Sequence, residues 1–163
     1  MTPDAEWEQR IAQLWTELDD TDEDEFVRRI EALAGELPAG SAIADFERAC
    51  AQDSTGHSDR AVPLYRSALA TGLTGIRRRR AVIQLSSSLR NVGRSEESVA
   101  LLTAERGAGS DQLDDAVVAV LALALTDVGR EREAVSITVA ALAPHLPRYQ
   151  RSMGNYARAL LES

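Results

Sequence analysis

Four consecutive arginines, Arg77 to Arg80, are the most conspicuous group of side chains able to bind a charged ligand. The guanidinium group presents a planar fork that matches carboxylate and phosphate, so this run predicts a contact with an acidic peptide or a phosphate. In a helix, however, four consecutive residues point in four directions, and at most two share a face. The alternative is that these arginines are solvated or pair with neighbouring acids. Nucleic acid is disfavoured as a ligand, because the chain has a net charge of −8 and only 4% aromatic residues.

The residue types that usually perform catalysis or hold metals lack the required spacing. Cys50 is the only cysteine, and the sequence places neither His57 nor His145 beside a nucleophile. No pair of Cys or His residues has the spacing of a metal site, and no glycine-rich phosphate loop is present. The acidic stretch 19–25 lacks the glycine and the spaced ligands of a calcium loop. The sequence therefore predicts no enzymatic activity, no metal and no cofactor.

The elements that must position these side chains are helices. Apolar residues recur three and four positions apart in almost every segment, and the alternating runs typical of strands are nearly absent. We therefore predict an all-α chain. Helix start and stop signals divide it into helices at about residues 3–18, 22–37, 41–52, 58–71, 74–92, 95–105, 110–128, 130–143 and 147–161.

Composition also predicts where the protein resides. No run of about 18 apolar residues exists, and the first ten residues are acidic, so neither a membrane span nor a secretion signal is expected. One cysteine cannot form an internal disulfide, which favours a reducing cytoplasm. All 18 basic residues are arginine, a bias that suggests a bacterial source.

Three glycines, Gly56, Gly93 and Gly129, each lie between two predicted helices and give a common register. A small residue follows each of them five positions later. These residues are Ala61, Ser98 and Ala134. Two of the preceding helices also match each other: Val82, Leu85, Ser86 and Leu89 stand at the same offsets as Val118, Leu121, Ala122 and Leu125.

This pattern resembles the tetratricopeptide repeat family, most closely its small stand-alone bacterial members. The resemblance implies an α-α superhelix of stacked helix pairs, whose first helices line a concave groove. On this basis the chain is predicted to be one domain, 1–163, with repeats at about 7–40, 42–75, 79–112 and 115–148 and a capping helix at 147–161. The main alternative is an unrelated helical bundle.

Several positions depart from the family pattern. Thr138 and Glu105 stand where the family prefers an aromatic residue and an alanine, so we expect their helices to pack less tightly or to face an edge. Before Gly56, the aromatic position falls on Asp45, and Phe46 fits only if that turn is one residue shorter. The repeat at 7–40 fits loosely.

The last predicted helix has an uneven distribution of side chains. Four of them, spaced four, three and four apart, form a predicted apolar face that covers the last repeat. Arginines are predicted to occupy the opposite, solvent-exposed face. The apolar set is Tyr149, Met153, Tyr156 and Leu160, and the arginines are Arg148, Arg151 and Arg158. Charge is also uneven along the chain, because residues 1–40 carry a net −9 and residues 41–163 a net +1.

The groove positions of the family define the candidate partner-binding residues. They fall on Trp15, Phe46, Arg80, Ile83, Ser87, Arg90, Asn91, Leu123 and Asp127. This mixture predicts an apolar floor with a cationic centre, suited to an extended segment that carries a carboxylate. The alternative for Trp15, Phe46 and Ile83 is ordinary packing.

The sequence thus predicts a non-enzymatic protein–protein interaction module that binds a peptide or protein, acidic ones included, in the groove. Nucleic acid and membranes are not expected partners. A first alternative is a self-associating structural protein that forms a homodimer through its groove or its last helix. A remote alternative is an enzyme with its site in the groove.

Overall fold

The computed structural model describes residues 3–162, and this part of the chain contains helices and no strand. Each helix is followed by a short turn, and the two 3₁₀ turns, Leu18–Asp20 and Ala143–His145, follow α1 and α8. The α-helices are α1 Ala5–Trp15, α2 Glu23–Ala34, α3 Ala42–Ser54, α4 Ser58–Ala70, α5 Gly75–Asn91, α6 Ser95–Ala108, α7 Asp114–Asp127, α8 Glu131–Leu142 and α9 Gln150–Ala159. The predicted all-α helical repeat is confirmed.

The described chain divides after Ser88 into two compact units. We call residues 3–88 the first unit and residues 89–162 the second unit. No helix within 3–162 combines the length and the apolar character needed to cross a membrane.

The first helix pair of the first unit packs along one apolar stripe of each helix. Trp7, Ile11 and Leu14 of α1 are buried against Phe26 and Ile30 of α2, as the helical spacing of these residues requires. The Trp7 indole donates a hydrogen bond of 2.8 Å to the Leu33 carbonyl oxygen, which satisfies its only polar group. The pair therefore has a closed core.

Side chains at the N-termini of the first three helices explain why the helices begin where they do. The side chains of Asp4, Asp22 and Ser41 accept hydrogen bonds from the backbone N–H groups of Trp7, Glu25 and Ala44. Each cap satisfies a backbone donor that the helix cannot pair internally.

The α3–α4 pair of the first unit packs closely because small residues face each other. Ala61 and Ala68 of α4 and Ala49 of α3 are fully buried, so the two backbones can approach. Larger rings fill the remaining volume, with the Phe46 and Tyr65 centroids 6.3 Å apart. The small residue predicted five positions after Gly56 is thus confirmed as a packing position.

The three register glycines lie in turns of the same geometry. Gly56, Gly93 and Gly129 have φ of 80°, 76° and 75°, the left-handed region that L side chains rarely adopt. In each turn the glycine N–H bonds the carbonyl three residues back, and the next N–H bonds the carbonyl five residues back at 2.8 Å. These two bonds define the Schellman motif that ends a helix.

The equal turns show that the one-residue-shorter turn considered for Gly56 is wrong. Phe46 is nevertheless fully buried, whereas Asp45, one position earlier, is half-buried and accepts a hydrogen bond from Ser67. Phe46 enters the core because it shares a face of α3 with Ala49 and Cys50, three and four residues on.

The core of the second unit is formed by α6, α7 and α8. Its buried residues are Ser98 and Leu102 of α6, Val117, Val118, Leu121 and Leu125 of α7, and Ala134 and Ile137 of α8. Ser98 and Ala134 are the small residues that the register predicted at these positions. Thr138 is exposed, which agrees with the expectation that its helix faces an edge, whereas Glu105 is buried.

The prediction for the last helix was partly wrong. The α9 helix begins at Gln150 rather than near residue 147, because Tyr149 adopts a left-handed conformation with φ 71°. Ala157 is its buried residue, flanked by half-buried Met153 and Leu160, and its carbonyl accepts a 2.6 Å hydrogen bond from Ser136. Tyr149 and Tyr156 are exposed.

Other predicted helix boundaries also differ, by up to four residues. The first helix ends at Trp15 and continues after two residues as a 3₁₀ turn, and the seventh begins at Asp114 rather than near residue 110. Asp114 and Ser110 explain the later start, because the Asp114 carboxylate accepts hydrogen bonds from the Ser110 hydroxyl and the Asp111 backbone N–H. This local network competes with helix formation in that segment.

Candidate interaction surface on helix α5

Arg80 is the member of the arginine run that is available to a partner. Its guanidinium group lies 5.1 Å from the centroid of the Phe46 ring, a cation–π contact that holds the side chain in place. Arg80 is exposed, and no carboxylate within residues 3–162 forms an ion pair with it. The geometry therefore leaves its hydrogen-bond donors directed to solvent or to a ligand.

Arg77, in contrast, is fully engaged by acids of two other helices. It binds both carboxylate oxygens of Glu8 on α1, at 2.8 and 2.7 Å, and donates a 3.2 Å hydrogen bond to Glu47 on α3. Glu47 is only 3% exposed, and its second oxygen accepts a 2.8 Å hydrogen bond from the Trp15 indole. The predicted alternative, in which an arginine of the run pairs with neighbouring acids, is thus correct for Arg77.

Two further polar side chains lie on the same face of α5 as Arg80. Gln84 and Ser87 follow it by four and seven residues, so the three side chains form one stripe along the helix. Both are half-buried, the Ser87 hydroxyl has no hydrogen-bond partner among the described residues, and Gln84 uses only its oxygen, as acceptor from the Cys50 thiol at 3.5 Å. We call Arg80, Gln84 and Ser87 the α5 donor stripe. Sequence analysis missed Gln84, although its spacing from Arg80 was a usable signal.

Phe46 and Ile83 belong to the core rather than to an open surface. Phe46 has no exposed area and Ile83 is 9% exposed, so neither is in a position to contact a partner directly. Trp15 is half-buried, with its ring edge-on to Phe26 at a centroid distance of 5.1 Å. Phe46 and Ile83 are therefore ordinary packing residues, which was the alternative considered for all three positions.

Burial controls the chemistry of the one cysteine near the donor stripe. Burial raises the pKa of the Cys50 thiol from 9.0 to about 12, so the thiol stays protonated at neutral pH. Nucleophilic and metal-binding chemistry both need the thiolate. Within the described residues, no group of three His, Cys, Asp or Glu side chains has a metal-site arrangement.

The remaining candidate residues lie in the second unit. Arg90 donates a 2.6 Å hydrogen bond to Asp127, which also accepts one from Ser95, and these bonds lower the pKa of Asp127. The guanidinium of Arg90 is therefore already occupied. Leu123 lies one helical turn before Asp127 and is 52% exposed, and Asn91 is exposed as well.

Comparison with known protein families identifies the repeat. A family model described as a tetratrico peptide repeat matches residues 42–160, which is 119 of the 163 residues. The chain belongs to the tetratricopeptide repeat family. The match includes all three register glycines and the α5 donor stripe, whereas the α1–α2 pair lies outside it.

Tetratricopeptide repeats generally act as protein–protein interaction modules and are typically non-enzymatic. No curated protein and no solved structure matches the chain significantly. The partner of this tetratricopeptide repeat protein must therefore be inferred from its own side chains.

Proposed function

We propose that the chain is a non-enzymatic interaction module that holds an extended acidic segment of a protein or peptide against α5. The observation that supports this proposal is Arg80, an exposed guanidinium fixed over the Phe46 ring without a carboxylate partner among the described residues. An arginine held in this way loses little further freedom when it binds a carboxylate, so its charge-assisted hydrogen bonds contribute more net affinity.

The donor stripe suits an extended chain. Arg80 and Ser87 are seven residues apart, a distance of about 10 Å along the helix axis, and an extended peptide covers this distance with about three residues. The amide of Gln84 and the hydroxyl of Ser87 can bond carbonyl oxygens of that peptide while Arg80 binds its carboxylate. Trp15 is the apolar candidate in the same unit, and Arg90, Asn91, Leu123 and Asp127 remain candidates in the second unit.

A pair of peptides tests the proposal directly. One fluorescent ten-residue peptide alternates leucine with aspartate, and the other alternates leucine with asparagine, so that they differ only in charge. We expect the aspartate peptide to bind at least about tenfold more tightly in fluorescence anisotropy, because a charge-assisted hydrogen bond contributes about 1.5 kcal/mol or more. Equal binding of the two peptides, or none, would contradict the proposal.

Matched variants locate the site. Arg80→Ala is expected to abolish the preference for aspartate, whereas Arg60→Ala, which removes an exposed arginine from α4, leaves it unchanged. Arg90→Ala is also expected to have little effect, because Arg90 is already bonded to Asp127. An aspartate preference that survives Arg80→Ala would move the site away from the donor stripe.

A second candidate function is self-association, and the exposed aromatic side chains of the α9 region favour it. Tyr149 and Tyr156 are 71% and 63% exposed, unusually high values for aromatic side chains. Light scattering at increasing protein concentration measures this directly, and a constant monomer mass would contradict it. For either function we place the protein in a reducing cytoplasm, which is consistent with its single buried, protonated thiol.

A further inference from the structure

A cleft of about 620 Å³ lies in the first unit, where α3 and α5 begin. Three large apolar side chains line it, together with small residues, threonines and Arg77. Of these three, Leu73 is buried, Ile43 is half-buried and Ile76 is exposed. We call this cleft the α3–α5 cleft. The protein itself therefore covers its apolar lining only in part.

Ile76 differs from the other large apolar side chains of the first unit. It is 44% exposed, and within residues 3–88 it is the only side chain of this kind that is exposed. Single exposed apolar residues are common on protein surfaces, so the exposure of Ile76 alone does not indicate a binding site. Its position relative to the α5 donor stripe is more informative.

Ile76 lies in line with the donor stripe. It precedes Arg80 by four residues, and the stripe continues with Gln84 and Ser87, so the helical spacing places all four side chains on one side of α5. Ile76 and Arg80 are about 6 Å apart along the helix axis. The α3–α5 cleft therefore adjoins the donor stripe at its N-terminal end.

Contacts between α3 and α5 show that these helices run side by side in the same direction. Arg80 lies over the Phe46 ring, and Gln84 accepts a hydrogen bond from Cys50, so both contacts join residues 34 positions apart. Ile43, three residues before Phe46, is among the residues that line the cleft. The cleft thus continues the α3–α5 boundary along which the donor stripe lies.

Charge favours an apolar occupant of the cleft over an acidic one. Arg77 is the one charged side chain among the described residues that line it, and its guanidinium group is bonded to Glu8 and Glu47. A carboxylate entering the cleft would therefore meet a cation that is already paired, with two other carboxylates close to it. An apolar side chain would avoid this repulsion and would cover Ile43 and Ile76.

We propose that the α3–α5 cleft binds an apolar side chain of the extended acidic segment, two residues from the acidic side chain that Arg80 binds. This inference rests on the proposed function and specifies the sequence that the site selects. In an extended peptide, side chains two residues apart lie on the same face and about 7 Å apart, which matches the spacing of Ile76 and Arg80. Neighbouring side chains point to opposite faces, so a residue next to the acidic one is directed away from the cleft.

Four fluorescent peptides of eleven residues test this spacing. The spaced peptide has a central aspartate with leucine two residues to each side, so that either chain direction suits the cleft, and serine or threonine elsewhere. In the adjacent peptide, the two leucines flank the aspartate directly. In the serine peptide, serine replaces both leucines of the spaced peptide, and in the asparagine peptide, asparagine replaces its aspartate.

Fluorescence anisotropy measures the affinity of each peptide for the unmodified protein. We expect the spaced peptide to bind at least about tenfold more tightly than the serine peptide, because burial of a leucine side chain contributes at least this factor. The adjacent peptide is expected to bind within about threefold of the serine peptide, since its leucines point away from the cleft. The spaced peptide should also bind more tightly than the asparagine peptide, as the proposed function requires.

Substitutions of Ile76 locate the leucine. Ile76→Ser is expected to reduce the preference for the spaced over the serine peptide at least about threefold, and to retain the preference for aspartate over asparagine. Ile76→Val should retain both preferences. Val135→Ser removes a side chain of similar exposure, 51%, from α8 and is expected to change neither preference. Circular dichroism of each variant verifies that the helices are retained.

Failure of this inference can be distinguished from failure of the proposed function. Equal binding of the spaced and asparagine peptides, or no binding of any peptide, would contradict the proposed function and the inference with it. A preference for aspartate, with the spaced peptide bound no more tightly than the serine or the adjacent peptide, would overturn the inference alone. A leucine preference that Ile76→Ser leaves unchanged would also overturn it, because the leucine would then contact another part of the protein.

Discussion

At the scale of single residues, Arg77 and Glu47 show how charge is used to join helices. Glu47 is almost completely buried, and a buried carboxylate is tolerated only when its oxygens are bonded. Trp15 and Arg77 provide those bonds from α1 and α5. The run of four arginines that resembles a ligand site therefore includes one residue that joins helices, Arg77, and one residue that is open to ligands, Arg80.

Removing Arg77 tests this assignment. Arg77→Ala leaves the Glu47 carboxylate buried with only the Trp15 indole as donor, so we expect the free energy of unfolding to fall by about 2–3 kcal/mol. Urea denaturation measures the change. Arg60→Ala, the matched exposed site, is expected to change stability by less than about 0.5 kcal/mol. Equal effects of the two substitutions would show that the contacts of Arg77 contribute nothing.

The burial of Cys50 determines whether the stability of the protein rises or falls with pH. The raised pKa means that the folded protein keeps the thiol proton between pH 9 and 12, where the unfolded chain releases it. The unfolded state then binds fewer protons than the folded state, so stability falls as the pH rises through this window.

The expected size of this effect is measurable. At pH 10, ionisation of the unfolded thiol removes about 1.4 kcal/mol of stability relative to pH 8. Cys50→Ser lacks this titration, so its loss of stability over the same interval should be smaller by that amount in urea denaturation. Parallel curves for the two proteins would show that the thiol is accessible in the folded state.

At the scale of elements, the repeated turns depend on glycine for a conformational reason rather than for space. An added Cβ at Gly93 would meet no atom within 4 Å, but φ of 76° is strained for any L side chain. Gly154 lies within α9 at an ordinary helical φ, and a Cβ there also meets no atom within 4 Å. The two positions therefore form a matched pair.

Substitution by alanine should have opposite effects at these positions. Gly93→Ala is expected to destabilise the protein by about 1 kcal/mol, whereas Gly154→Ala is expected to stabilise it by about 0.5–1 kcal/mol through helix propensity. Thermal unfolding of both variants measures the two signs. The same sign at both positions would contradict a role for positive φ in the turn.

The elements also show what could be predicted from the sequence. Gly56, Gly93 and Gly129 identified three turns, because a left-handed residue at a helix end strongly favours glycine. The start of α9 was missed because its left-handed residue is Tyr149, which has no such signature. The sequence left open whether Phe46 is buried or lines the groove, since the offset from the glycine cannot show which face of α3 meets α4.

At the scale of the whole molecule, the described chain divides into two units, and equal substitutions in each can compare them. Ile30 of the first unit and Ile137 of the second are both buried. Ile30→Val and Ile137→Val each remove one methyl group and should cost about 0.5–1.5 kcal/mol.

Hydrogen exchange should report these losses locally. We expect amide exchange to rise about two- to tenfold within the substituted unit and to change little in the other. Mass spectrometry of peptic fragments from α2 and from α8 provides the comparison. A uniform rise across both units after either substitution would show that they open together.

Only part of the candidate site could be predicted from the sequence. Family positions pointed to Arg80 and Ser87, but sequence spacing carries no information on which arginine meets a carboxylate distant in the chain. Arg77 reaches Glu8 across 69 positions, and Arg90 reaches Asp127 across 37. Such long-range pairs decide which charges stay open to a ligand.

The buried sulfur of Cys50 has a practical consequence. It is the only thiol in the chain, and its burial at 1% exposure denies access to alkylating reagents. Iodoacetamide therefore reacts with Cys50 only when the protein opens transiently and uncovers α3. The rate of alkylation measures that opening. The unmodified protein thus contains an intrinsic probe of its own opening, which needs no added dye and no engineered label.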